Sequence, residues 1–185
     1  LYAELFDIGF EPLPDAPVWH DSVEAYALTV GGKRAATFFL DMHARPGKYK
    51  HAAMFGIQTG LQGGRLPMAS LVCNFPNPED SGGQMEHSQV ETFFHEFGHL
   101  LHHLLARDAK YTNLGGINVE WDFVEAPSQI LEEWALTADV LRRFARHIET
   151  DEAVPSALID RMRASDEFGK GAHIMRQLFY TAYSY

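Results

Sequence analysis

The longest regular hydrophobic pattern of the chain runs from Ser88 to Arg107 and predicts an amphipathic α-helix. Ser88 and Glu91 have the S-x-x-E spacing of a capping box, so we expect the helix to begin there. Its apolar residues recur at i, i+3, i+4 and i+7, the spacing that places side chains on one face of a helix. They are Val90, Phe93, Phe94, Phe97, Leu100, Leu101, Leu104 and Leu105.

Short β-prone runs dominate the first half of the chain. Residues 24–41 predict a hairpin, because the runs 25–30 and 36–40 are separated by Gly31-Gly32-Lys33, and paired glycines favour a tight turn. We expect Ala44 to Pro67 to form a loop. Met68 to Phe75 is expected to form a short buried or edge strand, with Cys73 as a small core residue within it.

Further helices are predicted after a loop from Asp108 to Asp122. The first opens near Pro127, a residue tolerated in the first turn, and breaks near Thr137. Two more helices are expected over 155–165 and 168–185. The buried side of the first is predicted to contain Ile130, Leu131, Trp134, Leu141, Phe144 and Ile148. The predicted fold is therefore mainly α with a small β-sheet, in one continuous unit over residues 1–185.

Composition narrows the class of protein. The 185 residues include 25 acidic and 15 basic side chains, a net charge of −10, which disfavours nucleic acid as a partner. No apolar run approaches the roughly 18 residues that span a bilayer, so no membrane partner is expected. A single cysteine excludes an internal disulfide and a multi-cysteine zinc site. Without a cationic-then-apolar leader, the expected location is cytoplasmic.

The two ends of the chain suggest a larger protein. The sequence begins with Leu1 rather than methionine and ends in the apolar, aromatic stretch 178–185. Native termini are rarely so apolar. We therefore expect the chain to be a fragment of a longer protein.

The predicted helix carries the candidate chemistry, in the sequence His95-Glu96-Phe97-Gly98-His99. Residues four apart project from one helix face, so His95 and His99 can bind one Zn²⁺ ion. Glu96 would then lie beside the metal as a general base that takes a proton from water. The alternative is that both histidines are partly buried polar residues satisfied by their neighbours.

His102 and His103 extend the histidine cluster. Neither makes an alternative pair that encloses a glutamate in the base position, because Leu100 follows His99. We therefore predict that both are flanking polar residues or partners of the ligands rather than ligands themselves.

A catalytic zinc site needs a third protein ligand and an open fourth position. The candidates are carboxylates around the start of the next helix: Glu120, Asp122, Glu125, Glu132 and Glu133. Spacing alone does not separate them. Glu125 is favoured because it stands at the helix entrance after apolar Phe123 and Val124, whereas Glu132 and Glu133 are expected to face solvent or to orient a ligand histidine.

Residues 93–99 and 118–129 resemble the thimet oligopeptidase, oligopeptidase A and peptidyl-dipeptidase family of zinc metallopeptidases. Segments 18–20, 39–42, 47–49, 71–75 and 176–178 also resemble family segments in the right order. The similarity covers essentially the whole chain. Its motifs are much more specific than H-E-x-x-H alone.

The resemblance implies that His95, His99 and Glu125 bind one Zn²⁺ and that Glu96 is the catalytic base. It implies a zincin-like helical peptidase for short peptides, with Met68 to Phe75 as the edge along which an extended substrate lies. It also implies that the oxyanion-stabilising His and Tyr residues lie beyond this region, as does the helical half that walls the channel. Tyr180, Tyr183 and Tyr185 do not match that segment and are given no such role.

Two alternative functions are also compatible with parts of the sequence. A zinc amidase such as a deformylase also uses H-E-x-x-H but takes a cysteine as third ligand, and Cys73 lies well before the helix. A non-catalytic peptide-binding or interaction module could keep a structural zinc. The remaining partner that we expect is the rest of the parent peptidase chain.

Overall fold

The computed structural model describes the backbone of residues 1–184 and their side chains, except those of residues 80 and 81. The chain divides into two compact units, Leu1–Glu133 and Trp134–Tyr185. Tyr185, at the end of the last predicted helix, lies outside the described residues. None of the described helices has the length and apolar character needed to cross a membrane.

The first unit combines a five-stranded sheet with helices. The strands are Ile8–Pro12 (β1), Glu24–Val30 (β2), Lys33–His43 (β3), Ala53–Gln58 (β4) and Met68–Phe75 (β5). The α-helices are Tyr2–Phe6 (α1), Pro78–Ser81 (α2), His87–Leu105 (α3) and Ala126–Glu132 (α4). A 3₁₀ helix, Thr112–Leu114, lies between α3 and α4. The expected combination of helices with a sheet is confirmed, although α1 and β1 were not predicted.

The predicted hairpin is β2 and β3, which pair antiparallel. Gly31 and Gly32 have φ values of 57° and 71°, as a two-residue turn that matches the twist of the strands requires. The order of the sheet is β1-β2-β3-β5-β4. Among the strands that the structure describes, β3 and β5 are the pair that runs in parallel.

Two predictions about the sheet are wrong. Residues 44–67 are not all loop, because they contain β4, whose residues are mostly exposed and show no apolar alternation that would reveal a strand. Pairing with the backbone of β5 forms this strand instead. As a consequence β5 lies between β3 and β4, so Met68–Phe75 is the buried strand that the sequence allowed and not the edge that the resemblance implied. Cys73 is buried there as expected.

Helix α3 packs its apolar stripe into the core of the first unit. It begins at His87, one residue earlier than predicted, and its capping box is formed by Glu86 and Gln89 rather than Ser88 and Glu91. Gln89 Oε1 accepts a hydrogen bond from the Glu86 N–H at 2.9 Å. The buried apolar residues of the stripe are Phe94, Phe97, Leu100, Leu101 and Leu104.

Three α-helices make up most of the second unit: Ala138–Phe144 (α5), Ser156–Glu167 (α6) and Lys170–Ser184 (α7). The break near Thr137 is confirmed, since Thr137 is the N-cap of α5. The predicted buried side is wrong for Ile130, Phe144 and Ile148, which are all exposed, whereas Leu131 and Leu141 are buried as expected. Phe144 and Ile148 lie after the extended backbone of Thr137, so the helical period of α4 does not carry over to them.

Candidate metal centre

The two histidines of the motif face each other on α3. His95 Nε2 and His99 Nε2 are 3.1 Å apart, as expected for residues separated by one helical turn. Their side chains are 24% and 11% exposed. Both nitrogens therefore point to one place at the surface of the helix.

Glu125 brings a carboxylate oxygen to the same place. It is the N-cap of α4, with Pro127 in the first turn. Its Oε2 lies 3.2 Å from His95 Nε2 and 3.0 Å from His99 Nε2. The buried Ser128 hydroxyl lies 3.0 Å from the same Oε2 and 2.9 Å from the backbone carbonyl oxygen of Glu125, so its one proton can be donated to either oxygen. Among the described residues, His95, His99 and Glu125 are the group whose ligand atoms could hold a metal ion.

The close approach of α4 to α3 depends on Gly98. A Cβ at this position would lie 2.8 Å from Ser128 Cα, so any larger residue would push α4 away. Glycine in a helix interior costs about 1 kcal/mol relative to alanine, and this packing explains its presence. Sequence reasoning missed both Gly98 and Ser128, although a glycine inside a strong helical pattern was a usable signal.

The positions of the three potential ligand atoms fit a Zn²⁺ ion. Their separations of 3.0–3.2 Å are close to the edge of about 3.3 Å in a tetrahedron with bonds of about 2.0–2.1 Å. Glu125 is 51% exposed, so the cluster is open on the side of this residue. A catalytic zinc site needs such an open position.

A second carboxylate lies behind His95. Glu132 Oε1 contacts His95 Nδ1 in a short hydrogen bond. The carboxylate accepts a hydrogen bond from the N–H at Nδ1. The Nε2 atom of a neutral His95 ring is then unprotonated, and its lone pair is free to bind a metal ion. Glu132 is thus the orienting residue allowed by the sequence, while the solvent-facing alternative is wrong for it.

Glu96 contacts the sheet through its carboxylate. Its Oε2 accepts a hydrogen bond from the Met54 N–H of β4 at 3.0 Å. The residue is half-buried. One of its two carboxylate oxygens is therefore held at a defined position next to the edge of the sheet.

The other candidates lie elsewhere. Glu120, Asp122 and Glu133 do not join the group of potential ligands among the described residues. His103 Nε2 is hydrogen-bonded to Gln58 O. Burial lowers the pKa of His102, and the neighbouring His99 and His103 lower it further. The prediction that His102 and His103 are partners of the ligands remains untested, but neither belongs to the group itself.

Comparison with known proteins adds a family match. The model of peptidase family M3 matches residues 1–184. Saccharolysin of Saccharomyces cerevisiae is 33% identical to this chain, in an alignment that covers 97% of the chain. The mitochondrial intermediate peptidase of Arabidopsis thaliana is 36% identical over 97% of the chain. The dipeptidyl carboxypeptidase of Salmonella typhimurium is 41% identical over 91% of the chain.

The matches cover only part of each relative. The chain spans 27% of saccharolysin, 26% of the mitochondrial intermediate peptidase and 25% of the dipeptidyl carboxypeptidase. It therefore corresponds to about a quarter of the length of these curated relatives.

Proposed function

The chain belongs to peptidase family M3, which confirms the resemblance found in its sequence, and we propose that it is the zinc-binding catalytic region of a zincin-like metallopeptidase that cleaves short oligopeptides. The observation that supports this most is the convergence of His95, His99 and Glu125 on one point. The general base that the motif predicts, Glu96, follows His95 directly in the same helix.

In this proposal His95, His99 and Glu125 hold one Zn²⁺ ion. When bound, the ion would act as a Lewis acid that polarises the scissile carbonyl and makes water more acidic. Glu132 keeps the His95 ring in the tautomer that offers Nε2. The Ser128 hydroxyl can donate a hydrogen bond to the Glu125 carboxylate.

Glu96 handles the proton. It takes a proton from the water that attacks the scissile carbonyl and then delivers it to the leaving amine. The hydrogen bond from the Met54 N–H supports this role, because it fixes one carboxylate oxygen and so limits the orientations of the other. Such positioning lowers the cost of reaching the reactive geometry.

The substrate would lie along β4, in place of the edge that the sequence suggested. Strand β4 ends the sheet among the described residues. The N–H of Met54 points away from β5, and backbone groups alternate along an antiparallel strand. The N–H and C=O of Gly56 therefore also face away from β5, and an extended peptide could pair with them.

The partners that we propose are short peptides and the rest of a longer peptidase chain. Saccharolysin and the other relatives named above are about four times as long as the matched region. The net charge of −10 disfavours nucleic acid. A cytoplasmic location stays a prediction, since one of these relatives is named as mitochondrial.

The experiment compares zinc content with cleavage of an internally quenched peptide by the full-length protein. Glu96→Gln should retain zinc but lose about 10²–10⁴-fold in turnover, because the amide cannot accept a proton. Glu91→Gln is the matched control, since Glu91 lies on the same helix and contacts His87. This control should cleave like wild type.

Three outcomes are informative. Zinc-dependent cleavage by wild type with loss in Glu96→Gln supports the proposal. Near-normal turnover in Glu96→Gln would show that the assigned base is wrong. Tight zinc binding by wild type without cleavage of any short peptide would favour a non-catalytic peptide-binding module.

A further inference from the structure

His103 holds the last turn of α3 against the edge strand. It is 5% exposed, and its Nε2 lies 3.0 Å from Gln58 O. A carbonyl oxygen can only accept, so Nε2 carries the proton and donates. Together with the contact between Glu96 and the Met54 N–H, this bond attaches both ends of β4 to α3.

The imidazole of His103 also fills a narrow space between two glycines. A Cβ on Gly56 would lie 2.8 Å from its Cε1, and a Cβ on Gly116 would lie 2.6 Å from its Nδ1. Real Cβ atoms do not approach other atoms so closely, because the repulsion is steep. The ring therefore sets the distance between β4 and the segment 115–118.

A cavity opens beside this contact. It has a volume of about 250 Å³ and is lined by His103, residues 56–59, Ile117 and Asn118. His103 lies four residues after His99, one helical turn further along α3. The width of this cavity depends on the spacing that the ring imposes between β4 and segment 115–118.

We propose that His103 is a positioning residue for the peptide substrate, which it serves by holding β4 and segment 115–118 in register with the metal-binding helix. The inference rests on the proposed function, because it assumes that the peptide pairs with β4. His103 touches neither the reacting atoms nor the metal. Its effect is to hold β4 in place between Met54 and Gln58, across the irregularity in pairing with β5 between Gly56 and Gln58.

The first experiment separates binding from turnover in the full-length protein. In His103→Ala the contact at Gln58 is lost, while the contact of Glu96 with Met54 stays. We therefore expect KM to rise by about 3- to 10-fold, the size of one lost hydrogen bond, with kcat and zinc content near wild type. His103→Gln should restore KM, because its amide N–H can reach the same carbonyl.

The second experiment uses the contact with Gly56. The three atoms nearest to a Cβ on Gly56 all belong to the His103 imidazole, and Gly56 does not have a positive φ, so the ring is the main source of strain for alanine at this position. Gly56→Ala alone should raise KM and speed amide hydrogen exchange in residues 53–58. In a His103→Ala background the added methyl group has room, so the double variant should have the KM of His103→Ala alone.

Gly60→Ala is the matched control for the second experiment. A Cβ there would meet Arg107 Cα at 2.7 Å and Pro67 Cδ at 2.9 Å. Its effect should therefore be the same in both backgrounds. Additive effects of Gly56→Ala and His103→Ala, or an unchanged KM in His103→Ala, would overturn the proposal.

Hydrogen exchange distinguishes the failure of this inference from the failure of the proposed function. If wild type cleaves no peptide, the proposed function fails, whereas faster exchange in residues 53–58 of His103→Ala would still show the attachment of β4. If wild type cleaves peptides but both exchange and KM are unchanged in His103→Ala, the positioning role is wrong.

Discussion

The carboxylate of Glu132 contacts Nδ1 of His95, while Nε2 of the same ring faces His99 and Glu125. The imidazole of His95 thus links the Glu132 carboxylate on one side to the other two potential ligands, His99 and Glu125, on the other side. Carboxylates in this position orient a ligand histidine and raise its basicity. Glu133 is the next residue in the chain. It does not belong to the group of potential metal ligands that the described residues form.

Replacing Glu132 should weaken zinc binding without abolishing it. We expect Glu132→Ala to lower zinc affinity by about 10–100-fold, because the His95 ring loses its orienting partner. Glu133→Ala is the neighbouring control and should have a smaller effect. Competition titrations with a zinc-binding dye measure the zinc affinity of both variants. Equal losses of affinity would show that Glu132 does not orient His95.

Removing a direct ligand should be more severe. His95→Ala, His99→Ala and Glu125→Ala should each lower zinc affinity by more than the roughly 100-fold limit of an orienting residue. His87→Ala, on the first turn of the same helix, is the control. Zinc affinity of wild type should also fall on acidification, because the imidazoles must be neutral to bind metal. Full zinc content by metal analysis in any ligand variant would refute the assigned set.

Gly98→Ala should disturb the metal centre through the backbone of α4. The new Cβ would lie 2.8 Å from Ser128 Cα, so α4 must move and carry Glu125 with it. We expect a loss of about 1–3 kcal/mol in the free energy of unfolding together with weaker zinc binding. Urea denaturation and dye competition test the two effects.

Gly171→Ala is the control for this substitution. It lies in α7, where nothing stands within 4 Å of a Cβ, so it should stabilise by up to about 1 kcal/mol. Wild-type zinc affinity in Gly98→Ala would show that α4 can approach α3 without the glycine.

Asp41 should make a large contribution to stability. Its buried carboxylate accepts hydrogen bonds from Arg45 at 2.5 and 2.8 Å and from Trp19 at 2.9 Å. Lys48 lies 2.8 Å away and is buried as well. Asp41→Asn leaves these cations without their counter-charge, which should cost about 3–5 kcal/mol of unfolding free energy in urea denaturation.

The same carboxylate predicts a pH dependence. Burial raises the pKa of Asp41, but hydrogen bonds from Arg45, Lys48 and Trp19 outweigh burial and hold the pKa well below its ordinary value. Its stabilisation is therefore complete above the unfolded-state pKa of about 3.9 and is lost as the pH falls below it. Wild type should therefore lose more stability than Asp41→Asn between about pH 6 and about pH 3. Equal losses would contradict the assignment, and exposed Asp15→Asn should behave like wild type.

Cys73 should be inert in the folded protein. The thiol is buried in β5, and burial raises its pKa to about 12. Since only the thiolate reacts, a disulfide reagent near neutral pH should not label native protein. Labelling should appear when urea unfolds the chain. Rapid labelling under native conditions would show that β5 is exposed.

The sequence alone was sufficient where contacts are local. The period of the stripe predicted α3, and four-residue spacing placed His95 and His99 on one face. Paired glycines predicted the turn between β2 and β3. These features depend on residues close in the chain, so backbone geometry and side-chain periodicity determine them.

The tertiary structure decided what depends on distant residues. Strand β4 has no clear apolar pattern and exists because β5 pairs with it, so its formation also made β5 an inner strand. The choice among five carboxylates required α4 to pack closely over Gly98, 27 residues before Glu125 in the chain. Only that packing separates Glu125, which faces both histidines, from Glu132, which lies behind one of them. No spacing rule within a single helix contains this information, because it depends on where a second helix lies.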